Sequence, residues 1–231
     1  MSGSSPLSSL GVNDFRRAQF VTSASRLTEC PADTGAEVAF AGRSNAGKSS
    51  CINVLTDNRH LARTSKTPGR TQLINFFAVD AGWQQRLVDL PGYGYAKVSH
   101  ATKDNWQKHL EDYLRHRKTL RGLVLLMDSR HPLRDFDLNM LEWAQEAGLP
   151  VHCVLTKADK FNRGPAQQVL FAVRKQLLAE GFGETVSVQL FSSLAKQGVD
   201  VLATQLAGWL ALPTEEPSEE PAEPQPEPPA V

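Results

Sequence analysis

The chain has 231 residues, enough for one complete α/β domain with its own core and too few for two comfortable ones. Its apolar share of 41% and charged share of 22% are ordinary for a globular protein, and its longest apolar stretch, Leu123 to Met127, falls far short of the roughly 20 residues of a membrane span. Lys and Arg balance Asp and Glu at 25 each, yet six of the acids (Glu215, Glu216, Glu219, Glu220, Glu223 and Glu227) crowd into the last segment and leave the body basic, which favours a polyanionic partner only mildly.

Met1 to Gly11 is Ser, Gly and Leu without a basic-then-apolar signal pattern, so the cytoplasm is the expected compartment. Residues 1–14 read as a flexible N-terminus and 15–212 as the folded domain. Glu37-Val38-Ala39-Phe40-Ala41 is a short apolar run ending in Gly, the mark of a buried strand. A glycine-bearing loop follows, then a helix from about Lys48 to Leu55 with Ile52, Val54 and Leu55 turned inward. Residues 57–72 have loop composition and no periodicity; a loop that long in a compact domain is usually functional or disordered. Leu73 to Val79 and Arg86 to Leu90 read as a hairpin closed by the tight turn Asp80-Ala81-Gly82-Trp83. Beyond a Gly/Tyr loop (Pro91 to Ala96) come a polar helix of about Ala101–Arg117, a strand at Leu123–Met127 and a helix at Phe136–Ala147 behind Pro132.

Strand Val151–Leu155, helix Pro165–Glu180, strand Val186–Phe191 and helix Val199–Leu210 complete the series. From Pro213 on the chain is rich in Pro and Glu and lacks Lys and Arg, which predicts a disordered acidic tail over 213–231. The alternation of strands and helices argues for an α/β fold of three layers: a mostly parallel six-stranded sheet with one antiparallel edge strand and helices on both faces. Cys30, Cys51 and Cys153 form no C-x-x-C pair and read as reduced, packed side chains without chemistry.

The chemistry lies in four segments, each at the C-terminal end of an expected strand, where ligands of open parallel sheets sit. Gly42-Arg43-Ser44-Asn45-Ala46-Gly47-Lys48-Ser49 follows Gly-x-x-x-x-Gly-Lys-Ser, whose glycines let the backbone wrap closely enough for its N–H groups to meet phosphates. The helix behind it adds its positive N-terminus, Lys48 reaches the β- and γ-phosphates, and the Ser49 hydroxyl suits Mg2+. In Val88-Asp89-Leu90-Pro91-Gly92, Asp89 can hold Mg2+ through water and the Gly92 N–H can approach the γ-phosphate, although Asp-x-x-Gly alone is a common surface turn. In Thr156-Lys157-Ala158-Asp159, Asp159 can accept from guanine N1–H and the exocyclic amine, which adenine does not offer, while the Lys157 stem can lie over the base; a charged turn capping the next helix is the plain alternative. Phe191-Ser192-Ser193 ends the last strand with hydroxyls and N–H groups for guanine O6. The third segment argues against a kinase or ATPase with the same phosphate loop.

Ala39-Phe40-Ala41-Gly42-Arg43-Ser44-Asn45-Ala46-Gly47-Lys48-Ser49-Ser50, Lys66-Thr67-Pro68-Gly69-Arg70-Thr71-Gln72 and Asp89-Leu90-Pro91-Gly92-Tyr93-Gly94-Tyr95-Ala96 closely resemble the EngB (YihA/YsxC) family of bacterial GTPases. Met127-Asp128-Ser129-Arg130-His131-Pro132 and Leu155-Thr156-Lys157-Ala158-Asp159-Lys160 match as well, and the likeness runs from about Phe15 to Leu210, leaving the acidic tail outside the pattern. The resemblance implies a P-loop GTPase fold that binds GTP and GDP with Mg2+. Thr71 then falls on the switch I threonine, a second Mg2+ ligand beside Ser49, and Gly69, Arg70, Thr71, Gln72 and Leu73 line the nucleotide. It further implies a role in late assembly of the large ribosomal subunit, in contact with its rRNA, and an association with cell division and septation; a monomer is expected. A division-protein switch without RNA contact is the competing expectation.

Ras-type GTPases orient the attacking water with a Gln after the Asp-x-x-Gly glycine. Here that position is Tyr93, which predicts slow intrinsic hydrolysis resting on Lys48, Thr71 and Asn45. In related GTPases with Asn at the position of Asn45, K+ can sit beside the phosphates; the other reading is an Asn that hydrogen-bonds within its own loop. Lys103, Lys108, His109, Arg115, His116, Arg117, Lys118 and Arg121 form a basic stretch interrupted by Glu111 and Asp112, a candidate for rRNA phosphates or simply a solvated face. Arg63, Lys66 and Arg70 are a second patch, while Trp106 and Tyr113, seven apart, read as core rather than base-stacking platforms.

Overall fold

Runs of buried apolar residues build the sheet. The computed structural model describes residues 7–8, 10–11, 13–63, 73–93, 112–183 and 185–213. Its strands are β1 (Leu7–Ser8), β2 (Gln19–Ala24), β3 (Ala36–Gly42), β4 (Ile74–Ala78), β5 (Gln85–Asp89), β6 (Leu120–Asp128), β7 (Val151–Thr156), β8 (Val186–Leu190) and β9 (Leu212–Pro213). The helices are α1 (Lys48–Leu55), α2 (Asp135–Glu146), α3 (Arg163–Ala179) and α4 (Val199–Leu210), and residues 112–116 are also helical. Every residue of β3, β5 and β7 is buried, as strands covered on both faces require.

The main sheet runs β2-β4-β5-β3-β6-β7-β8. β5, β3, β6, β7 and β8 are parallel, β4 is antiparallel to β5, and β2 is antiparallel to β4. The three-layer, mostly parallel architecture is therefore as expected, but the sheet has seven strands rather than six. The antiparallel strand of the β4–β5 hairpin is also not the edge, because β2 lies outside it. Gln19–Ala24 escapes a sequence reading because only Ala24 of its six residues is fully buried. An edge strand half in water shows neither an apolar run nor clean alternation.

α1 and α4 cover one face, over a core that includes Phe40, Ile52, Phe191 and Leu206; α2 and α3 cover the other, over Phe76, Leu123, Met140 and Leu170. In α1, Cys51 and Asn53 are buried along with Ile52 and Leu55, whereas Val54 is only half-buried. Asn53 has a reason to face inward. Its side chain donates to the carbonyls of Arg59 and Ala62 at 3.0 and 2.9 Å and accepts from the Ala62 N–H at 2.7 Å, pinning the chain that leaves α1. Cys51 and Cys153 are buried and Cys30 half-buried, and burial pushes the Cys30 thiol up to about 11. β1 and β9 pair with each other, and among the described residues no helix is long and apolar enough to cross a membrane.

At the N-terminal end of the parallel strands, Glu37 is completely buried and fully paired. Its carboxylate accepts from Arg86 Nε at 2.7 Å, from Arg117 Nη2 and Nε at 2.6 and 2.8 Å, and from the Tyr113 hydroxyl at 2.9 Å. Arg86 also donates to the carbonyls of Trp83, Ala32 and Thr34. A buried charge left alone by loss of its partner costs about 3–5 kcal/mol, so these groups stand or fall together. Tyr113 is core, as expected. Arg117 is not part of a solvated basic face: the structure spends it on Glu37, leaving Arg115, His116, Lys118 and Arg121 exposed.

His152 in β7 is buried between Ser187 Oγ, 2.7 Å from Nδ1, and Gln189 Oε1, 2.8 Å from Nε2. The Gln189 amide nitrogen is committed to the Gly198 carbonyl at 2.7 Å, so its oxygen faces the ring and Nε2 carries the proton. Burial lowers the His152 pKa from 6.5, so the folded chain binds fewer protons than the unfolded one as the pH drops past that value. Stability from this group is then complete above 6.5 and is lost as the pH falls below it. Urea midpoints between about pH 7.5 and 5.5 should fall more steeply for the parent chain than for His152→Gln; parallel slopes would refute the assignment.

Candidate functional site

The loop between β3 and α1 owes its shape to two left-handed residues, Asn45 (φ 65°) and Gly47 (φ 96°). Such turns direct successive backbone N–H groups to one side, and Gly47 takes the conformation without steric penalty. Gly47 is also the N-cap of α1, so the free N–H groups of that helix open where Lys48, Ser49 and Ser50 line a cleft of about 760 Å³.

The end of β7 fastens this loop from the side. Thr156 Oγ1 donates to the Ala46 carbonyl at 2.6 Å, and Lys157 Nζ donates to the Asn45 carbonyl at 2.8 Å. Lys157 itself adopts φ 58°. That conformation costs a non-glycine residue about 1–2 kcal/mol. Its ammonium makes a second bond, to Asp128 Oδ2 at 2.8 Å, and hydrogen bonds to charged groups contribute about 1.5–3 kcal/mol each when shielded, less at this partly exposed site. The contacts win. Beside Lys157, the Ser192 hydroxyl donates to Asp159 Oδ1 at 2.6 Å and accepts the Ala195 N–H at 3.0 Å. The Ser192 bond, against a small cost of burial, holds the Asp159 carboxyl below the usual carboxylate range.

On the other flank, Asp89 ends β5 with its carboxylate against the Lys48 ammonium, both largely buried. The chain then runs along the phosphate loop: Ser44 N–H donates to the Tyr93 carbonyl at 2.9 Å. At Gly92 a Cβ would lie 3.3 Å from the Ser44 nitrogen, so the approach leaves little room for a side chain. Tyr93 turns away from the cleft. Its ring stacks on Phe136 at 4.5 Å and its hydroxyl donates to Asp137 Oδ1 at 2.6 Å, while Asp137 Oδ2 accepts the Arg134 N–H at 3.0 Å. Burial, with the Asp137 charge adding, pushes the Tyr93 phenol well above its ordinary value.

Of the residues singled out in the sequence, Gly42 to Ser49 form the loop, and Asp89 to Gly92, Thr156 to Asp159 and Phe191 to Ser193 gather at the same end of the sheet. Leu90, Ala158 and Phe191 are buried and offer only backbone there. Leu73 lines the cleft. Gly69, Arg70, Thr71 and Gln72 lie outside the described residues, as do Trp106 and the basic residues of 94–111. The cleft also takes in Phe20 and Ser23 of β2, His60 and Leu61 after α1, and Asn75 and Phe77 of β4, none of which the sequence singled out. Recognition of β2 as a strand would have found the first two.

A family model described as 50S ribosome-binding GTPase matches residues 37–157, more than half of the chain. Among solved structures, a probable GTP-binding protein engB superposes with a TM-score of 0.59 at 22% identity, covering 76% of this chain and 98% of that one. A bacterial selenocysteine-specific elongation factor EF-Sec gives 0.53 at 19% identity, over 77% of this chain but 29% of its own. The S. thermophilus NFeoB bound to GDP·AlF4− and K+ gives 0.52 at 24% identity, over 75% and 62%. At these identities the structures attest the fold, while the family match carries the activity. The chain is a P-loop GTPase and belongs to the 50S ribosome-binding GTPase family.

Proposed function

We propose that this GTPase is a guanine-specific switch with slow intrinsic hydrolysis, acting in the cytoplasm in late assembly of the large ribosomal subunit and needed for normal cell division. The observation that carries the guanine reading is Asp159, kept ionised by the Ser192 hydroxyl beside Lys157. A carboxylate so placed accepts from guanine N1–H and the exocyclic amine and leaves an adenine unmatched. Ser192 and Ser193 supply donors for O6. Gly42 to Ser49 take the phosphates, with Lys48 on the β- and γ-phosphoryl oxygens. Ser49 and Thr71 offer the hard oxygen donors that Mg2+ prefers, and Asp89, its carboxylate against the Lys48 ammonium, would hold the ion through water. The ion neutralises charge developing on the phosphoryl oxygens when bound.

Slow hydrolysis follows from Tyr93, whose side chain is committed to Asp137 and Phe136 and is not free to orient water over the phosphates. Positive charge must then come from elsewhere, and K+ beside Asn45 is the proposed source, by analogy with the K+ named for NFeoB. The ribosomal role rests on the family description and on the exposed cations Arg63, Arg115, Lys118 and Arg121, now without Arg117.

Asp159→Asn should shift preference from GTP to XTP by more than about a hundredfold in competition binding, since xanthine keeps N1–H but carries a C2 carbonyl to which the amide N–H can donate; unchanged preference would sink the base-reading role. Single-turnover hydrolysis should run faster in K+ than in Na+ by on the order of a hundredfold, and equal rates remove the K+ site. In sucrose gradients the chain should travel with large ribosomal subunits in a non-hydrolysable GTP analogue and leave them in GDP. Identical profiles in both nucleotides would overturn the switch reading.

A further inference from the structure

Asp128 closes β6, the strand between the phosphate-loop strand β3 and the base-side strand β7. Four donors converge on its carboxylate. Oδ2 accepts from Lys157 Nζ at 2.8 Å and Arg130 Nη2 at 2.6 Å; Oδ1 accepts from Arg130 Nε at 2.9 Å and the Arg130 backbone N–H at 3.1 Å. The same Lys157 ammonium reaches the Asn45 carbonyl at 2.8 Å, so an unbroken chain of contacts runs from Arg130 through Asp128 and Lys157 into the phosphate loop.

We infer that Asp128, clamped by Arg130, is a positioning residue for nucleotide binding: it draws the Lys157 ammonium back onto the Asn45 carbonyl and so fixes the lysine stem as the wall against which the base lies. The inference rests on the base-side role proposed above for Thr156 to Asp159. Most surface ion pairs organise little, because two long side chains must be held in one geometry in water. This one differs in three respects. The Asp128 side chain is only 18% exposed, both its oxygens are engaged, and the lysine it holds starts from a left-handed backbone that limits where the stem can go. Hydrogen bonding from Arg130, with Lys157 adding, keeps the carboxyl well below the usual range, so the clamp holds its charge. A lysine held in place before the ligand arrives loses less side-chain entropy on binding. The stem packs against any purine, whereas Asp159 reads the edge that distinguishes guanine.

A double-mutant cycle tests this, with GDP and IDP as probes and Lys157→Met, which keeps the stem and removes the ammonium. Asp128→Asn should weaken GDP and IDP binding alike by about tenfold in the parent chain and by less than about twofold in Lys157→Met. An equal loss in both backgrounds, no loss in the parent, or a loss confined to GDP would overturn the inference, the last because it would place the effect at Asp159. Should the amide variant not fold, Asp128→Glu displaces the charge by one methylene and must show the same dependence on Lys157. The xanthine exchange of Asp159→Asn, made with Asp128 intact, separates the two failures. If it succeeds while the cycle is additive, only the Asp128 inference falls; if it fails, the base-side reading falls first.

Discussion

The hydroxyl of Thr156 and the ammonium of Lys157 reach from the end of β7 to the carbonyls of Ala46 and Asn45, and the upper end of the sheet is organised around those bonds. A loop that carries two left-handed residues in three positions keeps, among the described residues, only a single bridge, Arg43 to Tyr93, from the neighbouring segment. Tied at consecutive carbonyls, it stays open on its N–H side, which is the side that meets anions. The same two donors begin the segment that ends in Asp159. The phosphate loop and the segment proposed above to read the base are thus parts of one hydrogen-bonded unit.

Most of that unit was legible in the sequence. Gly42 to Ser49 announces itself because close backbone approach to phosphate restricts residue choice so heavily, and Asp89, Thr156 to Asp159 and Ser192 each follow a buried apolar run that marks a strand end. What the sequence hid obeys a different physics. β2 is an edge strand, half in water, so burial leaves no pattern on it. Asp128 resembles an ordinary strand-end turn until distances show Lys157 and Arg130 on the same carboxylate. Arg117 reads as one more cation in a basic run because charge in sequence says nothing of direction; only the fold turns it inward to Glu37.

Glu37 and its partners form a second pole at the opposite end of the strands. There Tyr113, within the helical segment 112–116, and Arg117, just beyond it, are bound to Glu37 near the start of β3, which Arg86 near the start of β5 also pairs, in a dry environment. The helical segment that follows the Asp-x-x-Gly loop in sequence therefore ends at a fixed point. The cations left outside, Arg115 in that segment, Lys118 just after it and Arg121 at the start of β6, lie exposed around this anchored end.

Tyr93 ties the phosphate end to the core by a different route. The residue that other switch proteins devote to timing is here a structural ring, stacked on Phe136 and hydrogen-bonded to a buried carboxylate on α2. On the hydrolysis reading proposed above, rate and packing meet in one side chain. A lineage that acquired a glutamine there would gain a water-handling amide and leave Asp137 Oδ1 buried without a donor, with only the Arg134 N–H on its other oxygen, so a faster clock would have to be accompanied by a rebuilt α2.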